Sequence, residues 1–399
     1  MAAPFQNPFK PGAGHMPPYL AGRDAEAKEF GKLLQQQTIL ENLVLTGLRG
    51  VGKTVLLETF KPMAIAQSWL WVGTDLSETS SVTEENIVLR LITDLSVVTG
   101  QIVIAEEELP DMNLRPKREV VQYTLDTAAL MDIYNRTPGL PVDKLKAVLE
   151  VAWKCVRATN RRGIIFAYDE AQNLADHAED KQFPLSLMLD AFQSIQRKGI
   201  PFMLALTGLP TLFTKLVDAR TFAERMFRVV TIGKLKAKES ADAITKPIST
   251  NRCPVTFAPP LVDATVSMSG GYPYFIQFIC REVYDVILQR LGKGDANLEI
   301  AMGGILQKLD TDFFAGRWGK ATDRQRELLT VIANLEESES EFTVLEIVEA
   351  AKSSLVKGFS ASHVNQMLSA MCDRGLIYKN RHGKYCFAVP LFGQFIRRQ

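Results

Sequence analysis

The residues best suited to chemistry form a glycine-rich run directly after a short apolar stretch. The run reads Gly47, Leu48, Arg49, Gly50, Val51, Gly52, Lys53 and Thr54, and it matches the pattern GxxxxGK(S/T). Glycines let backbone N–H groups wrap around an anion, the lysine reaches the β- and γ-phosphates, and the hydroxyl ligates Mg²⁺. The run therefore predicts a phosphate loop for ATP, with Lys53 acting on the phosphates and Thr54 on Mg²⁺.

Two adjacent acids, Asp169 and Glu170, follow a second apolar run at residues 164–168. The carboxyl ends of parallel strands share one edge of a sheet, which is where the phosphate loop also begins. We expect Asp169 to hold Mg²⁺ through water, and Glu170 to orient and polarise the attacking water. Such a pair found alone is usually a solvated turn, but the upstream loop favours the catalytic interpretation. The two motifs together predict an ATPase that releases ADP and phosphate.

Five apolar runs of strand length alternate with helical patterns in the first part of the chain. They are residues 43–45, 69–72, 164–168, 202–206 and 229–232. This alternation predicts an α/β fold with a five-stranded parallel sheet and crossover helices. The second and third runs are separated by more chain than one crossover helix needs, which indicates an insertion at about 100–140.

The pattern changes after residue 234. Helical segments follow one another without strands, which predicts a helical lid, and the last helices precede two short strands, which is the order of a winged helix. A proline-rich extended arm and one helix come before the first strand. The predicted domains are therefore 1–37 (arm and helix), 38–235 (ATPase), 236–318 (lid) and 319–399 (winged helix).

Composition places few further limits on function. The hydrophobic fraction of 46% and the charged fraction of 23% are ordinary for a soluble globular protein. A net charge of +1 gives no overall field that would attract nucleic acid, so any such role needs a local patch. Five scattered cysteines without a CxxC pair indicate reduced thiols. No signal pattern and no apolar run of about 20 residues is present, which predicts a cytoplasmic protein without membrane contact.

At these motifs the sequence resembles the AAA+ ATPases. The similarity is to the replication-initiator and archaeal-type branch, which borders the STAND signalling ATPases, and it covers nearly the whole chain. Residues 47–54 and 168–171 match the two Walker motifs of that branch. Residues 18–24 resemble its N-terminal motif, whose backbone cups adenine. The resemblance therefore implies nucleotide contacts from Leu20, Gly22 and Arg23.

Two further segments resemble the nucleotide sensors of this branch. Residues 206–210 are similar to sensor 1, which implies that Thr207 senses the γ-phosphate; a Thr-Gly turn without a ligand is the alternative. Residues 270–274 occupy the place of sensor 2, but Tyr274 stands where an arginine is expected. The Gly-x-Pro form is closer to STAND lids, whose proline, here Pro273, packs near the adenine. Pro273 also suits the first turn of a helix.

Residues 224–228 resemble the position from which an AAA+ subunit inserts an arginine finger into its neighbour. A guanidinium there would neutralise charge that develops on the transferred phosphoryl group. The resemblance implies Arg225 as the first choice, Arg228 as the second, and a homo-oligomer as the active form. Both arginines could instead be surface charges at a helix end.

Three basic residues, Lys379, Arg381 and Lys384, cluster at the tip of the predicted wing. A winged helix can contact the phosphates of double-stranded DNA from this position. Winged helices also dock proteins, so two functions stay open. One is an ATP-controlled machine that engages DNA, and the other is a STAND-like switch that acts through protein partners without DNA. A P-loop kinase of a small substrate is disfavoured, because it would need neither the lid nor the winged helix.

Overall fold

The computed structural model describes residues 6–12, 14–109, 119–250, 253–293, 300–336, 338–354 and 358–399. Contacts divide the chain into two compact units, and neither is a continuous stretch of sequence. The sheet unit contains Asp24–Thr46 and Leu56–Thr231. The loop unit contains Met1–Arg23, Gly47–Val55 and Ile232–Gln399. This division does not follow the four predicted domains, whose boundaries remain a prediction.

The sheet unit is built on parallel strands in the order β2-β5-β6-β1-β7. The strands of this unit are β1 (Asn42–Thr46), β2 (Trp69–Val72), β3 (Val103–Leu109), β4 (Glu119–Thr124), β5 (Gly163–Tyr168), β6 (Phe202–Gly208) and β7 (Phe227–Thr231). Every residue of β1, β5 and β6 is buried, as expected for central strands of a parallel sheet covered on both faces. The five predicted strands are confirmed, with ends within about two residues of the prediction.

Helices cover this sheet and provide its crossovers. They are α1 (Asp24–Leu34), α2 (Lys53–Ala66), α3 (Glu84–Thr99), α4 (Thr127–Arg136), α5 (Pro141–Arg157), α6 (Pro184–Arg197), α7 (Leu212–Ala219) and α8 (Ala223–Met226). Only the first three residues of α2 belong to the loop unit. Buried residues of α3, α5 and α6 form one apolar core with β5 and β6.

The predicted insertion contains secondary structure that the sequence did not indicate. β3 and β4 pair antiparallel as a separate two-stranded sheet, and α4 follows them. β3 includes Glu106, Glu107 and Glu108, and glutamate is depleted in strands. Pairing with β4, and not local propensity, therefore accounts for this strand.

The loop unit begins its helical part after β7. Its helices there are α9 (Ala237–Thr250), α10 (Pro259–Ser269), α11 (Pro273–Gly292), α12 (Met302–Leu309) and α13 (Ala315–Trp318), and a π-helical turn at Asp310–Phe314 joins the last two. α11 is buried on two sides: Ile276 and Ile279 pack with α9, whereas Phe275 and Phe278 pack with the C-terminal segment. Within the described residues, no helix is both long and apolar enough to cross a membrane.

The C-terminal segment of the loop unit consists of four more helices and a small antiparallel sheet of order β8-β10-β9. The elements are α14 (Asp323–Ala333), β8 (Phe342–Thr343), α15 (Val344–Ser354), α16 (Ala361–Asp373), β9 (Ile377–Arg381), β10 (Lys384–Phe387) and α17 (Phe392–Ile396). The segment contains the three helices and the two-stranded hairpin predicted for a winged helix, whereas β8 and α17 were not predicted. α16 buries Val364, Leu368 and Met371 and leaves Ser362 and Asn365 exposed.

Candidate functional site

The phosphate loop needs glycine for both its conformation and its close packing. Gly52 has a φ of +91°, in the left-handed region that side chains with a Cβ rarely adopt. Gly47 is required for a different reason: there is no room for a side chain, since a Cβ there would lie 2.5 Å from the carbonyl oxygen of Ile232. The glycines that the motif predicts are therefore required by the backbone itself.

Lys53 lies at the start of α2 and is almost fully buried. Its Nζ donates to the carbonyl oxygens of Gly47, at 3.0 Å, and of Leu48, at 3.1 Å. A phosphate oxygen is a stronger acceptor than these carbonyls, because a charge-assisted hydrogen bond is stronger than one to a neutral group. The first turn of α2 also contains no acidic residue, which leaves the positive end of the helix dipole available to an anion.

The buried side chain of Arg23 holds the phosphate loop in place. Its guanidinium donates to the carbonyl oxygens of Val51, at 2.9 Å, and of Gly233, at 2.8 Å. Gly22 beside it has a φ of +61°, and a Cβ there would lie 2.6 Å from the Glu239 side chain. Arg23 is thus tied to the loop backbone, while adenine contact by Leu20, Gly22 and Arg23 stays a prediction.

The first turn of α11 packs against the same loop. Pro273 is its first residue, as its fixed φ favours. The backbone N–H of Tyr274 donates to the carbonyl oxygen of Gly50 at 3.2 Å, which satisfies one of the free donors at this helix end. A Cβ on Gly50 would lie 3.2 Å from that of Tyr274, so the two residues are in direct contact.

In the sheet unit, Asp169 is buried at the end of β5. Its Oδ1 accepts the backbone N–H of Glu170 at 2.8 Å and also the hydroxyl of Thr207. Thr207 is fully buried on β6, the neighbour of β5. The structure therefore brings together the predicted metal ligand and the predicted sensor residue.

Gln172 is a site residue that the sequence analysis missed. Its Oε1 accepts the backbone N–H of Leu209 at 3.1 Å, which turns its amide nitrogen toward the carboxylate of Glu170, to which it donates. A Cβ on Gly208 would lie 2.6 Å from this Oε1, so glycine leaves room for the contact. Glu170 itself has a φ of +50°, an uncommon conformation for a residue with a side chain. Gln172 therefore links the predicted base to the segment after β6.

Asp75 is a second residue that the sequence did not single out. It forms a parallel bridge with Asp169, and the backbone N–H of Leu76 donates to the Asp169 carbonyl at 2.9 Å. Partial burial, followed by the charges of Asp169, Glu170 and Glu58, raises the pKa of Asp75. A group of like charges of this kind favours a bound cation.

The residues present fit Mg²⁺ better than a metal that needs a cage of protein ligands. Within the described part of the chain, no three His, Cys, Asp or Glu side chains converge on one metal position. Mg²⁺ usually takes one or two protein oxygens and completes its shell with water and substrate phosphate. Asp169 and the hydroxyl of Thr54 each offer oxygen of that kind, and their joint role as Mg²⁺ ligands stays a prediction.

The two candidates for an arginine finger have different surroundings. Arg225 is an exposed residue of α8, and in the described residues no carboxylate forms an ion pair with it. The sequence analysis began the fifth strand at residue 229, after Arg228, but the structure places Arg228 within β7. Its guanidinium donates to Glu29 at 2.6 Å and to Glu41 at 2.7 Å. The geometry therefore favours Arg225.

An acid just before β8, Glu341, pairs with an arginine of the wing, and the sequence analysis did not count it. Arg381 forms a two-point contact with Glu341, at 2.9 Å from Nε and 2.6 Å from a terminal nitrogen. Asn380 donates to the same carboxylate, and Lys384 lies opposite Arg381 in the hairpin. Arg381 and these neighbours hold the pKa of Glu341 below its usual value. The positive charge at the wing is therefore smaller than the sequence suggested.

Other basic residues of the C-terminal segment also have partners inside the loop unit. Arg398 pairs with Asp310, Arg397 contacts Glu339, and Lys352 pairs with Glu349. Arg374 donates to the carbonyl oxygen of Lys320 and to Gln325. Lys379 is exposed at the wing and remains the simplest candidate for a phosphate contact.

Comparison with solved structures identifies the fold. A Walker-type ATPase of Pyrococcus abyssi is similar at 15% sequence identity, with a TM-score of 0.59 over 95% of this chain and 96% of that chain. The ADP form of the ORC2 protein of Aeropyrum pernix is similar at 14% identity, with a TM-score of 0.56 over 98% of this chain and 99% of that chain. The predicted fold is confirmed, because both of these solved structures share it with this chain.

Sequence comparison covers less of the chain. A family described as "Domain of unknown function (DUF8462)" matches residues 311–396. This match begins in the π-helical turn before α13 and ends with α17. No curated protein matches the chain by sequence.

Proposed function

We propose that this protein binds Mg-ATP and hydrolyses it to ADP and phosphate. The observation that carries the proposal is the group formed by Asp169, Glu170, Thr207 and Gln172 at the carboxyl ends of β5 and β6. β1 lies beside β6 in the same parallel sheet, and the phosphate loop is the chain that follows β1. A Walker-type ATPase and a protein solved with ADP share the fold, which supports the same conclusion.

Each residue then has a distinct task. Lys53 and the N-terminus of α2 bind the phosphates, and Thr54 and Asp169 would hold Mg²⁺, which neutralises phosphate charge when bound. Glu170 orients the attacking water and accepts its proton, and Gln172 keeps that carboxylate directed toward the segment after β6. Arg225 would reach the γ-phosphate of a neighbouring copy, which makes a homo-oligomer the active form.

Two variants test this assignment separately. Lys53→Ala should abolish ATP binding, because the lysine acts on the bound ground state. Glu170→Gln should still bind ATP but lose turnover by about 100-fold or more, because the carboxylate acts on the water. Binding is measured by calorimetry and turnover by phosphate release. Parental turnover in Glu170→Gln would show that the base lies elsewhere.

We further propose that nucleotide turnover controls engagement of double-stranded DNA through the C-terminal winged helix. The exposed polar face of α16 and the exposed Lys379 support this role. A protein partner in place of DNA is the second candidate, and the pairing of Arg381 with Glu341 favours it, because that pair removes charge from the wing. Stimulation of ATP turnover by DNA, falling steeply with salt, is expected for the first role. DNA-independent turnover with tightly retained nucleotide is expected for the second.

A further inference from the structure

A half-buried lysine of the sheet unit has no acid to pair with. Lys215 lies on α7, next to the buried Leu216. Its Nζ donates to the backbone carbonyl oxygen of Gln172 at 2.7 Å. Burial lowers the pKa of Lys215, and within the described part of the chain no carboxylate forms an ion pair with it. Removing an ammonium group from water for one neutral acceptor costs free energy, and an apolar side chain could fill the same place. The charge therefore indicates a role beyond packing.

The carbonyl that Lys215 contacts belongs to a short 3₁₀ turn at Ala171–Asn173, which begins directly after Glu170. Inside the turn, the backbone N–H of Asn173 donates to the Glu170 carbonyl oxygen at 2.9 Å. The hydrogen-bond geometry of such a turn is poor, so contacts from outside decide how firmly it is held. One of them is the side-chain amide of Asn173, which donates to the carbonyl oxygen of Leu76 at 2.8 Å. Lys215 holds the same turn from α7.

Gln172 connects this turn to the predicted base. Its side-chain nitrogen donates to the carboxylate of Glu170, and its Oε1 accepts the backbone N–H of Leu209 at 3.1 Å. Lys215 is bonded to the main chain of the same glutamine, from which that side chain extends. The main chain of Gln172 is therefore held by α7, and its side chain by the segment after β6. Together these two contacts fix the direction in which the amide faces Glu170.

We propose that Lys215 is a positioning residue for the hydrolytic base and acts on Glu170 through Gln172. This inference rests on the proposed hydrolysis of ATP. Lysine suits the task because its long stem carries the donor away from α7, and because a charged donor makes a stronger hydrogen bond to a carbonyl than a neutral one does. Without the ammonium group the turn is less firmly held, and Glu170 is directed at the attacking water for a smaller share of the time.

The test measures turnover and ATP binding in variants of the full chain. Lys215→Met removes the ammonium group and keeps an unbranched side chain. It should lower kcat about 10-fold and leave ATP affinity within about twofold, because the lysine acts on the base and not on the phosphates. Lys215→Arg keeps a cationic donor and should hold kcat within about threefold of the parental value. Phosphate release gives kcat, and calorimetry gives the affinity.

Urea unfolding separates positioning from packing. In Lys215→Met the lost hydrogen bond destabilises the fold, whereas removal of a poorly solvated, unpaired charge stabilises it. The two effects oppose each other, so the urea midpoint should change little although kcat falls. Lys198→Met is the matched control, because Lys198 is exposed and its ammonium group lies 2.5 Å from the carboxylate of Glu150. This control should keep the parental kcat.

A double variant tests whether the lysine acts through the glutamine. Lys215→Met combined with Gln172→Leu should have the kcat of Gln172→Leu alone, because the amide that transmits the effect is already absent. Two residues that act independently would instead lower kcat by the product of their single effects.

Three results would overturn the inference while the proposed function stands. They are a parental kcat in Lys215→Met, a loss of ATP affinity or of the urea midpoint that accompanies the loss of kcat in both lysine variants, and independent effects in the double variant. Parental turnover in Glu170→Gln would instead remove the base on which the inference rests. That failure is distinguishable, because it is seen in a protein whose Lys215 and Gln172 are unchanged.

Discussion

Gln172 donates its side-chain amide to the carboxylate of Glu170, two residues before it in the chain. The side-chain oxygen of Gln172 accepts the backbone N–H of Leu209. The backbone carbonyl oxygen of Gln172 accepts a hydrogen bond from Lys215, whose pKa is lowered by burial. The orientation of Glu170 is therefore coupled to the segment that contains Thr207. A change at that segment can turn the predicted base toward or away from water.

We expect Gln172→Leu to lower kcat about 10- to 100-fold and leave the affinity for ATP within about twofold. The amide positions the base and does not contact the phosphates, so its loss acts mainly on turnover. Steady-state kinetics and calorimetry give the two values, with Gln193→Leu on α6 as the matched control. A parental kcat in Gln172→Leu, together with an inactive Glu170→Gln, would reduce Gln172 to a packing residue.

Mixing two inactive proteins tests whether Arg225 acts on a neighbouring copy. Arg225→Ala retains its own phosphate loop, and Lys53→Ala retains its arginine, so a mixed oligomer should recover part of the ATPase activity. Arg228→Ala should behave differently. It loses only surface ion pairs with Glu29 and Glu41, which contribute little to stability, and it leaves Arg225 in place. Absence of recovery at every mixing ratio would show that Arg225 is not used in trans.

The role of the wing in DNA binding can be tested by removing positive charge from it and by increasing that charge. Changing Lys379, Arg381 and Lys384 together to Ala should weaken DNA binding and flatten the log-affinity against log-salt slope by about two. The triple variant should lose about two phosphate contacts, not three, because Glu341 already neutralises Arg381. Glu341→Gln keeps the shape of the side chain, frees Arg381, and should steepen the slope by about one. If neither variant alters the slope, or the unaltered protein binds no DNA, the segment docks a protein.

Gly47→Ala should destabilise the loop unit by more than about 1 kcal/mol and abolish nucleotide binding. The new methyl group would lie 2.5 Å from the Ile232 carbonyl oxygen, and backbone cannot rotate away as a side chain can. Gly316→Ala is the control, because the space around that helical glycine is open and alanine favours a helix by up to about 1 kcal/mol. Urea unfolding compares the two. Equal stability and ATP binding in both variants would contradict the packing argument.

What could be predicted from the sequence was local. The phosphate loop, the acids after β5 and the five buried strands are each contained in a few consecutive residues, and short-range pattern is enough to find them. The parts that were missed depend on partners distant in sequence. Asp75 meets Asp169 through a strand bridge, and Arg381 meets Glu341 across a turn and two helices. The periodicity of the sequence does not indicate such pairs, because they form only when distant parts of the chain fold together.

The loop unit combines Gly47–Val55 with a segment that begins only at Ile232. During synthesis the glycine-rich run leaves the ribosome early, yet the backbone that encloses it emerges only after the whole sheet unit. Closing contacts over that sequence separation is slow relative to local folding. A nascent chain can therefore form its central strands first. It becomes able to bind nucleotide only later, when the segment that begins at Ile232 folds with the loop.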